Sequence, residues 1–189
     1  MQRRIRCFVA VDIEDDSLRA SLVRAQEALL GSGAKLKLVE PANLHITLKF
    51  LGEISETLVE EVIKRLDVIS FKSFKMVVRG LGAFPRLSNP RVIWAGISEG
   101  ATELQSLAGQ IEAALKRLGF RRNKEFKAHL TLARVKRPGR PGELGRIIRE
   151  YGDHIFGSQI VRRFKLKRSI LTSAGPIYSD LAIYEAEEA

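Results

Sequence analysis

Cysteine is nearly absent from this 189-residue chain: Cys7 stands alone, which excludes an intramolecular disulfide and a cysteine-built zinc centre. Set in the apolar stretch Ile5 to Val11, it reads as a core residue. Long apolar runs are missing too, and none approaches the roughly 20 residues that a membrane span needs. The opening Met1-Gln2-Arg3-Arg4 has the outline of a secretory signal. However, Asp12 interrupts the apolar stretch early and no small-residue cleavage site follows. The segment therefore reads as the first strand of a cytoplasmic protein. There is no serine nucleophile elbow and no phosphate-cradling glycine loop. Gly80-x-Gly82 lacks the third glycine and the following helix of a dinucleotide fingerprint. Histidine is scarce as well, with three in the chain, so where they fall carries information.

What the chain does have is an ordinary apolar content of 45%, enough for the core of one domain or of two small lobes sharing it. It also has a strong charge asymmetry. Lys116 to Arg168 carries 17 Lys/Arg against 4 Asp/Glu, a net of +13, while the rest of the chain is at −3. A basic half on a mildly acidic remainder points to a polyanionic partner, nucleic acid or nucleotide phosphate. The competing reading is a thermophile's charge-rich surface.

Two of the three histidines occur in one four-residue frame: His45-Ile46-Thr47-Leu48 and His129-Leu130-Thr131-Leu132, 84 residues apart. Similar elements flank each. Around the first lie a strand (Ile5–Ile13), a helical pattern (Ser17–Leu30), the tetrad strand (Leu44–Leu51), a helix (Glu56–Ile69) and a strand (Phe74–Leu81). Around the second lie a strand (Arg91–Ile97), a helix (Ala101–Leu118), the tetrad strand (His129–Val135), a helix (Glu143–Ile155) and a strand (Ser158–Leu171). Apolar residues at three- and four-residue steps, such as Leu18, Leu22, Ala25 and Leu29, support the helices. This is β-α-β-α-β twice, with halves of about 1–84 and 87–175, a turn-rich connector from Gly82 to Pro90 and a closing strand Ile177–Tyr184. The segments Lys35–Ala42 and Arg137–Gly142 read as loops, the acidic tail Glu185 to Ala189 as frayed, and His154 as a surface or helix-end residue. The expected architecture is α+β, with two sheets lining a cleft and helices outside.

In a strand, residues i and i+2 share a face. Each tetrad therefore presents an imidazole and a hydroxyl about 6–7 Å apart, backed by core-facing leucine and isoleucine. Two such pairs across a cleft supply an acid, a base and two donors to non-bridging oxygens, a full set for cleaving a phosphodiester. A packed, hydrogen-bonded core pair is the bland explanation of one such frame; its repetition in matching halves argues against it. Neither tetrad has a second ligand at metal-site spacing. Lys49 and Lys127 share the parity of their tetrads and are candidates for neighbouring backbone phosphates, or else solvated strand-edge charges. Phe50 has core parity, which favours packing over base stacking.

The tetrads, with Arg6-Cys7-Phe8-Val9-Ala10-Val11, Asn43-Leu44-His45-Ile46-Thr47-Leu48-Lys49-Phe50-Leu51-Gly52-Glu53, Gly82-Ala83-Phe84-Pro85, Arg91-Val92-Ile93-Trp94-Ala95-Gly96 and His129-Leu130-Thr131-Leu132-Ala133-Arg134, resemble the two-histidine phosphoesterases. The branch they resemble is the RNA 2′,3′-cyclic phosphodiesterases, also named the 2′-5′ RNA ligase family. The resemblance implies a two-lobed fold with pseudo-twofold symmetry and hydrolysis of an RNA 2′,3′-cyclic phosphate, or a small cyclic nucleotide, to a 2′-phosphate. No metal or cofactor is implied. His45 would be the proton donor to the 3′-oxygen, His129 the proton acceptor, and Thr47 and Thr131 would hold phosphate oxygens. Arg134 would pair with phosphate or stack on the base, with Phe50 a further substrate contact. Strict alternation turns Arg134 away from the cleft, so a bulge or the strand's end would have to re-aim it. RNA end-joining and a non-catalytic RNA-end-binding module are the alternatives. The protein is read as a monomer without membrane contact.

Overall fold

The repeated strand–helix pattern resolves, in the computed structural model, which describes residues 3–123 and 125–188, into nine strands and four α-helices. In chain order they are β1 (Arg4–Asp12), α1 (Asp16–Leu30), β2 (Lys35–Leu38), β3 (His45–Ser55), α2 (Glu56–Leu66), β4 (Phe74–Arg86), β5 (Asn89–Glu99), α3 (Ala101–Leu115), β6 (His129–Arg137), α4 (Glu143–Glu150), β7 (Ile155–Val161), β8 (Arg163–Thr172) and β9 (Gly175–Glu185). Single 3-10 turns cover Pro41–Asn43 and Lys116–Leu118. Caps set the helix starts. The Asp15 carboxylate accepts from Leu18 N at 2.8 Å at the start of α1, and the Ser55 hydroxyl accepts from Leu58 N at 3.2 Å at the start of α2, each satisfying an otherwise unpaired first-turn amide. Gly100, at φ +85°, leads into α3 where any Cβ would lie 2.7 Å from the Lys75 carbonyl.

The strands form two antiparallel sheets, ordered β3-β1-β8-β9 and β2-β6-β5-β4-β7. The fold is α+β. The orders β3-β1-β8-β9 and β6-β5-β4-β7 correspond strand for strand, the pseudo-twofold relation expected of a duplication. The third strand of each sheet comes from the other half of the sequence: β4 lies beside β5, and β8 beside β1. Helices are exchanged likewise. α2 and α3 pack on the first sheet, while α1 and α4 pack on the second. Their apolar faces fill one continuous core in which Cys7, Leu18, Leu22, Ile46, Leu104, Ile111 and Leu130 are fully or almost fully buried. Each large side chain so buried contributes roughly 1.5–3 kcal/mol. Burial also pushes the Cys7 thiol up to about 11, so it stays protonated. Among the described residues no helix is long and apolar enough to cross a membrane.

Several boundaries differ from the sequence expectation, each for a local reason. The stretch Gly82 to Pro90 is not a loop connector; β4 runs to Arg86 and pairs with β5 from Asn89 in a tight hairpin. Lys35–Leu38, expected as loop, is an edge strand on β6, its Leu36 and Leu38 packed against the core. The expected strand Ser158–Leu171 is two strands in different sheets, parted at Arg162. Helix α4 stops at Glu150, because Gly152 N bonds Arg149 O and His154 N bonds Tyr151 O in a turn. His154 therefore lies in that turn, and its carbonyl accepts from Gly80 N at 2.8 Å. The acidic tail is tied rather than frayed through Glu187, with Ala186 N on Arg162 O and Glu187 N on Phe71 O at 2.7 and 2.8 Å. Its final residue, Ala189, lies outside the described residues, as do Met1 and Gln2 of the opening segment.

Candidate active site

The inner faces of the two sheets enclose a cleft of about 700 Å³, with β3 forming one wall and β6 the other. His45 and Thr47 project into it from β3, and His129 and Thr131 from β6. Their intervening residues Ile46 and Leu130 are fully buried on the core side, as period-two alternation requires.

Both imidazoles are held in the same way. His45 Nδ1 lies 2.6 Å from the Asn43 carbonyl, and His129 Nδ1 lies 2.7 Å from the Lys127 carbonyl. A carbonyl can only accept, so each Nδ1 carries the proton and each neutral ring presents Nε2 as its basic nitrogen. The two Nε2 atoms differ in surroundings. That of His45 accepts the Thr47 hydroxyl at 3.0 Å; that of His129 has no protein hydrogen bond among the described residues. Burial holds His45 below the usual imidazole range. The Asn43 carbonyl and Asp12 work against that shift, while Lys167 and His129 add to it.

Aromatic rings brace both imidazoles. Phe8 lies 5.1 Å from the His45 ring, and Tyr178 meets it edge-on at 5.5 Å. Across the cleft, Phe84 meets His129 edge-on at 5.2 Å with Trp94 at 6.4 Å. Gly82 makes room for this stack, since a Cβ there would stand 2.3 Å from the Trp94 ring. Beneath His45, Asp12 sits opposite it in register. Asp12 and Asp180 together bind Lys165 and Lys167, every N–O distance between 2.8 and 3.0 Å.

The most informative feature of the site is a pair of β-bulges. In β3 the register runs Ala10 to Thr47, then Val9 to Lys49, leaving Leu48 as an extra residue. In β6 it runs Trp94 to Thr131, then Ile93 to Ala133, leaving Leu132 extra. Each tetrad therefore ends in a bulge at its fourth residue. One inserted residue inverts the parity of the residues that follow it, up to the next register shift at Leu51 in β3 and at Lys136 in β6, so the His+4 position turns inward and the His+5 position turns into the cleft.

This inversion settles the geometry of three candidates, Arg134, Phe50 and Lys49, whereas Lys127 precedes its bulge. Arg134, at His+5, faces the cleft and is exposed, so the tension over its parity is resolved by the bulge. Phe50, its counterpart in β3, is 55% exposed, against the expectation that it packs in the core. It stacks on Phe8 at 5.8 Å with the Arg6 guanidinium 5.7 Å from its ring. Lys49, at His+4, is 1% exposed and gives its ammonium to Glu112 at 2.5 Å and to the Arg121 carbonyl at 3.1 Å. Its ammonium is thereby committed to the protein and is not offered to a backbone phosphate. Lys127 lies on the exposed rim, where its ammonium is 3.8 Å from Glu125, and its carbonyl fixes His129.

Polar residues of α1 and α3, buried Gln26 and half-buried Glu112, hold both bulges. Gln26 of α1 donates from Nε2 to the carbonyls of Leu132 and Val39, both at 2.8 Å. Glu112 of α3 holds Lys49 just past the Leu48 bulge. Neither helix belongs to the sequence half whose tetrad it supports. Sequence reasoning missed Arg6, Gln26, Phe84, Trp94 and Tyr178 as site residues. For Arg6 a signal was present, because it shares the period-two face of Phe8 on β1. Burial pushes the Tyr178 phenol up, against the lowering influence of Arg134, Arg6 and Lys167, so it stays protonated in the cleft.

Comparison with known proteins returns a consistent picture. The family model described as LigT like Phosphoesterase matches residues 11–94 and again 96–178, one tetrad in each match. A protein of Archaeoglobus fulgidus named RNA 2′,3′-cyclic phosphodiesterase is 48% identical over 181 residues, covering 96% of this chain and all of that one. One of the same name from Aeropyrum pernix is 44% identical over 169 residues, covering 89% and 95%. Among solved structures, a Thermus thermophilus protein superposes with a TM-score of 0.81 at 31% identity, over 97% of this chain and all of that one. The E. coli LigT complex with 3′-AMP superposes at 0.78 and 24% identity, over 98% and 100%, a likeness of fold.

Proposed function

Because the chain belongs to the LigT-like phosphoesterase family, we propose that it hydrolyses RNA 2′,3′-cyclic phosphate ends to 2′-phosphates by paired-histidine acid–base catalysis. One observation carries the reading: two histidines with Nδ1 tied to the carbonyl two residues back turn Nε2 into one cleft, each beside a threonine. His129, whose Nε2 is open, accepts the proton of the attacking water. As the new P–O bond forms, the P–O3′ bond breaks, and His45 gives its Nε2 proton to the departing 3′-oxygen. A 2′-phosphate and a free 3′-hydroxyl remain. Thr47 and Thr131 donate to the non-bridging oxygens, where charge builds in the transition state, and Arg134 pairs with the same group.

Burial favours the neutral form of His45. The phosphate's negative charge favours its protonated form, so substrate binding loads the acid. An imidazolium of lowered pKa also releases its proton more readily. Because each sheet takes a strand from both sequence halves, the chain is read as one two-lobed domain. With both tetrads supplied by one chain, it is read as a monomer, and its place as the cytoplasm.

The test is turnover of a nucleoside 2′,3′-cyclic phosphate by His45→Ala and His129→Ala, with folding checked by thermal melts. Each variant loses about 10²–10⁴ in kcat while melting cooperatively; full activity in either refutes the proposal.

A further inference from the structure

Among the described residues six cations line the cleft: Arg6, Lys37, Lys49, Lys127, Arg134 and Lys136. Three are already engaged. Lys49 is paired with Glu112, Lys127 lies by Glu125, and Arg6 sits over the Phe50 ring. The other three form no ion pair among the described residues, and all of them lie on the β2–β6 ribbon. Lys37 is the register partner of Arg134, and Lys136 lies two residues further along β6, about 7 Å away at strand spacing. All three are exposed. Besides Glu125, the only carboxylate among the described cleft-lining residues, Glu40, pairs with none of them. The unneutralised charge of the site therefore gathers around Arg134 on one wall, with Lys37 beside it on β2 and Lys136 beyond it along β6, away from the histidines.

The chemistry of the substrate limits what such a line can bind. A 2′,3′-cyclic phosphate caps the 3′ end of a strand, so any further phosphate must lie on the 5′ side, as a singly charged diester. We propose that Lys37 and Lys136 form a binding track for the phosphodiesters just upstream of the terminal nucleotide, so that the preferred substrate is an oligonucleotide rather than a nucleoside cyclic phosphate. This rests on the cyclic-phosphodiesterase reading. Arg134 holds the terminal phosphate, and the two lysines take the next two along the strand.

The experiment compares the wild-type protein with the double variant Lys37→Ala/Lys136→Ala on two substrates: a nucleoside 2′,3′-cyclic phosphate and a trinucleotide ending in one. The wild type favours the trinucleotide in kcat/KM. That preference falls about seven-fold between 50 and 200 mM salt, as two single-strand phosphate contacts of slope about 0.7 each require. In the double variant the ratio between the substrates approaches one and its salt dependence flattens, while Lys37→Arg/Lys136→Arg keeps both. A wild type without preference, or a variant that retains it, overturns the track. Anisotropy with a fluorescent trinucleotide 3′-phosphate and a nucleoside 3′-phosphate separates the two claims should neither substrate turn over. Tighter trinucleotide binding that the double variant loses supports the track without the activity, and equal binding by both proteins refutes it.

Discussion

Replacing Gln26 by leucine tests whether the bulge at Leu132 aims Arg134. Gln26 is 2% exposed, and its amide caps the carbonyls of Leu132 and Val39. The Leu132 carbonyl also accepts from Val39 N at 2.9 Å, so Gln26→Leu leaves one buried acceptor unpaired rather than two. That costs about 1–3 kcal/mol, offset by roughly 1 kcal/mol from the added apolar burial. The net loss is ~0–2 kcal/mol, which for a chain of this size lowers Tm by up to about 8 °C. The second effect is functional. With the bulge slackened Arg134 loses its fixed aim, and a charge-assisted hydrogen bond of about 1.5–3 kcal/mol sets a ceiling of roughly 10–150-fold on the rise in KM. Steady-state kinetics at 25 °C, where both proteins are folded, read this directly. The double-mutant cycle sharpens the test: on an Arg134→Ala background Gln26→Leu adds little further loss in KM, because the residue it positions is gone. A lowered Tm with unchanged KM, or losses that add, would refute the reasoning.

Two other perturbations follow from the same geometry. The folded-state pKa of His45 lies below its unfolded value, so its contribution to stability is present above pH ~6.5 and is lost as pH falls through the depressed folded pKa. An NMR titration of the His45 ring should give a midpoint below 6.5 that rises on adding inorganic phosphate and rises in His129→Ala, which removes a neighbouring positive charge; a normal, phosphate-insensitive midpoint contradicts this. Gly82→Ala puts a Cβ where the Trp94 ring lies and should cost about 1–3 kcal/mol of stability. It should also red-shift the emission of the chain's one tryptophan and lower kcat through the displaced His129, whereas unchanged emission and activity would show that the stack does not brace the imidazole.

The tetrads were legible because alternation holds through their first three residues. His45 and Thr47 share a face by period two, and the apolar neighbours Ile46 and Leu48 are buried as that pattern requires. Beyond the fourth residue the same rule fails. A bulge is a matter of register between two strands, and nothing in Leu48 or Leu132 distinguishes an inserted leucine from a paired one. This is why Lys49 and Phe50 were placed on the wrong faces, and why Arg134 could be oriented only by assuming a bulge. The exchange of strands was hidden for a related reason. Ser158 to Leu171 has the composition of one continuous strand, and its division at Arg162 depends on which sheet can accept each part. The short edge strand Lys35–Leu38 alternates correctly but carries only two apolar residues, too few to stand out from a loop.

The most direct test of paired-histidine hydrolysis is a 31P NMR analysis of a nucleoside 2′,3′-cyclic phosphate incubated with the wild-type protein, with His45→Ala and with His129→Ala, all in EDTA. The expected result is a single 2′-phosphate product from the wild type and none from either variant over the same interval. A 3′-phosphate product, dependence on added metal, or 2′-phosphate formed at the wild-type rate without one of the histidines would contradict it.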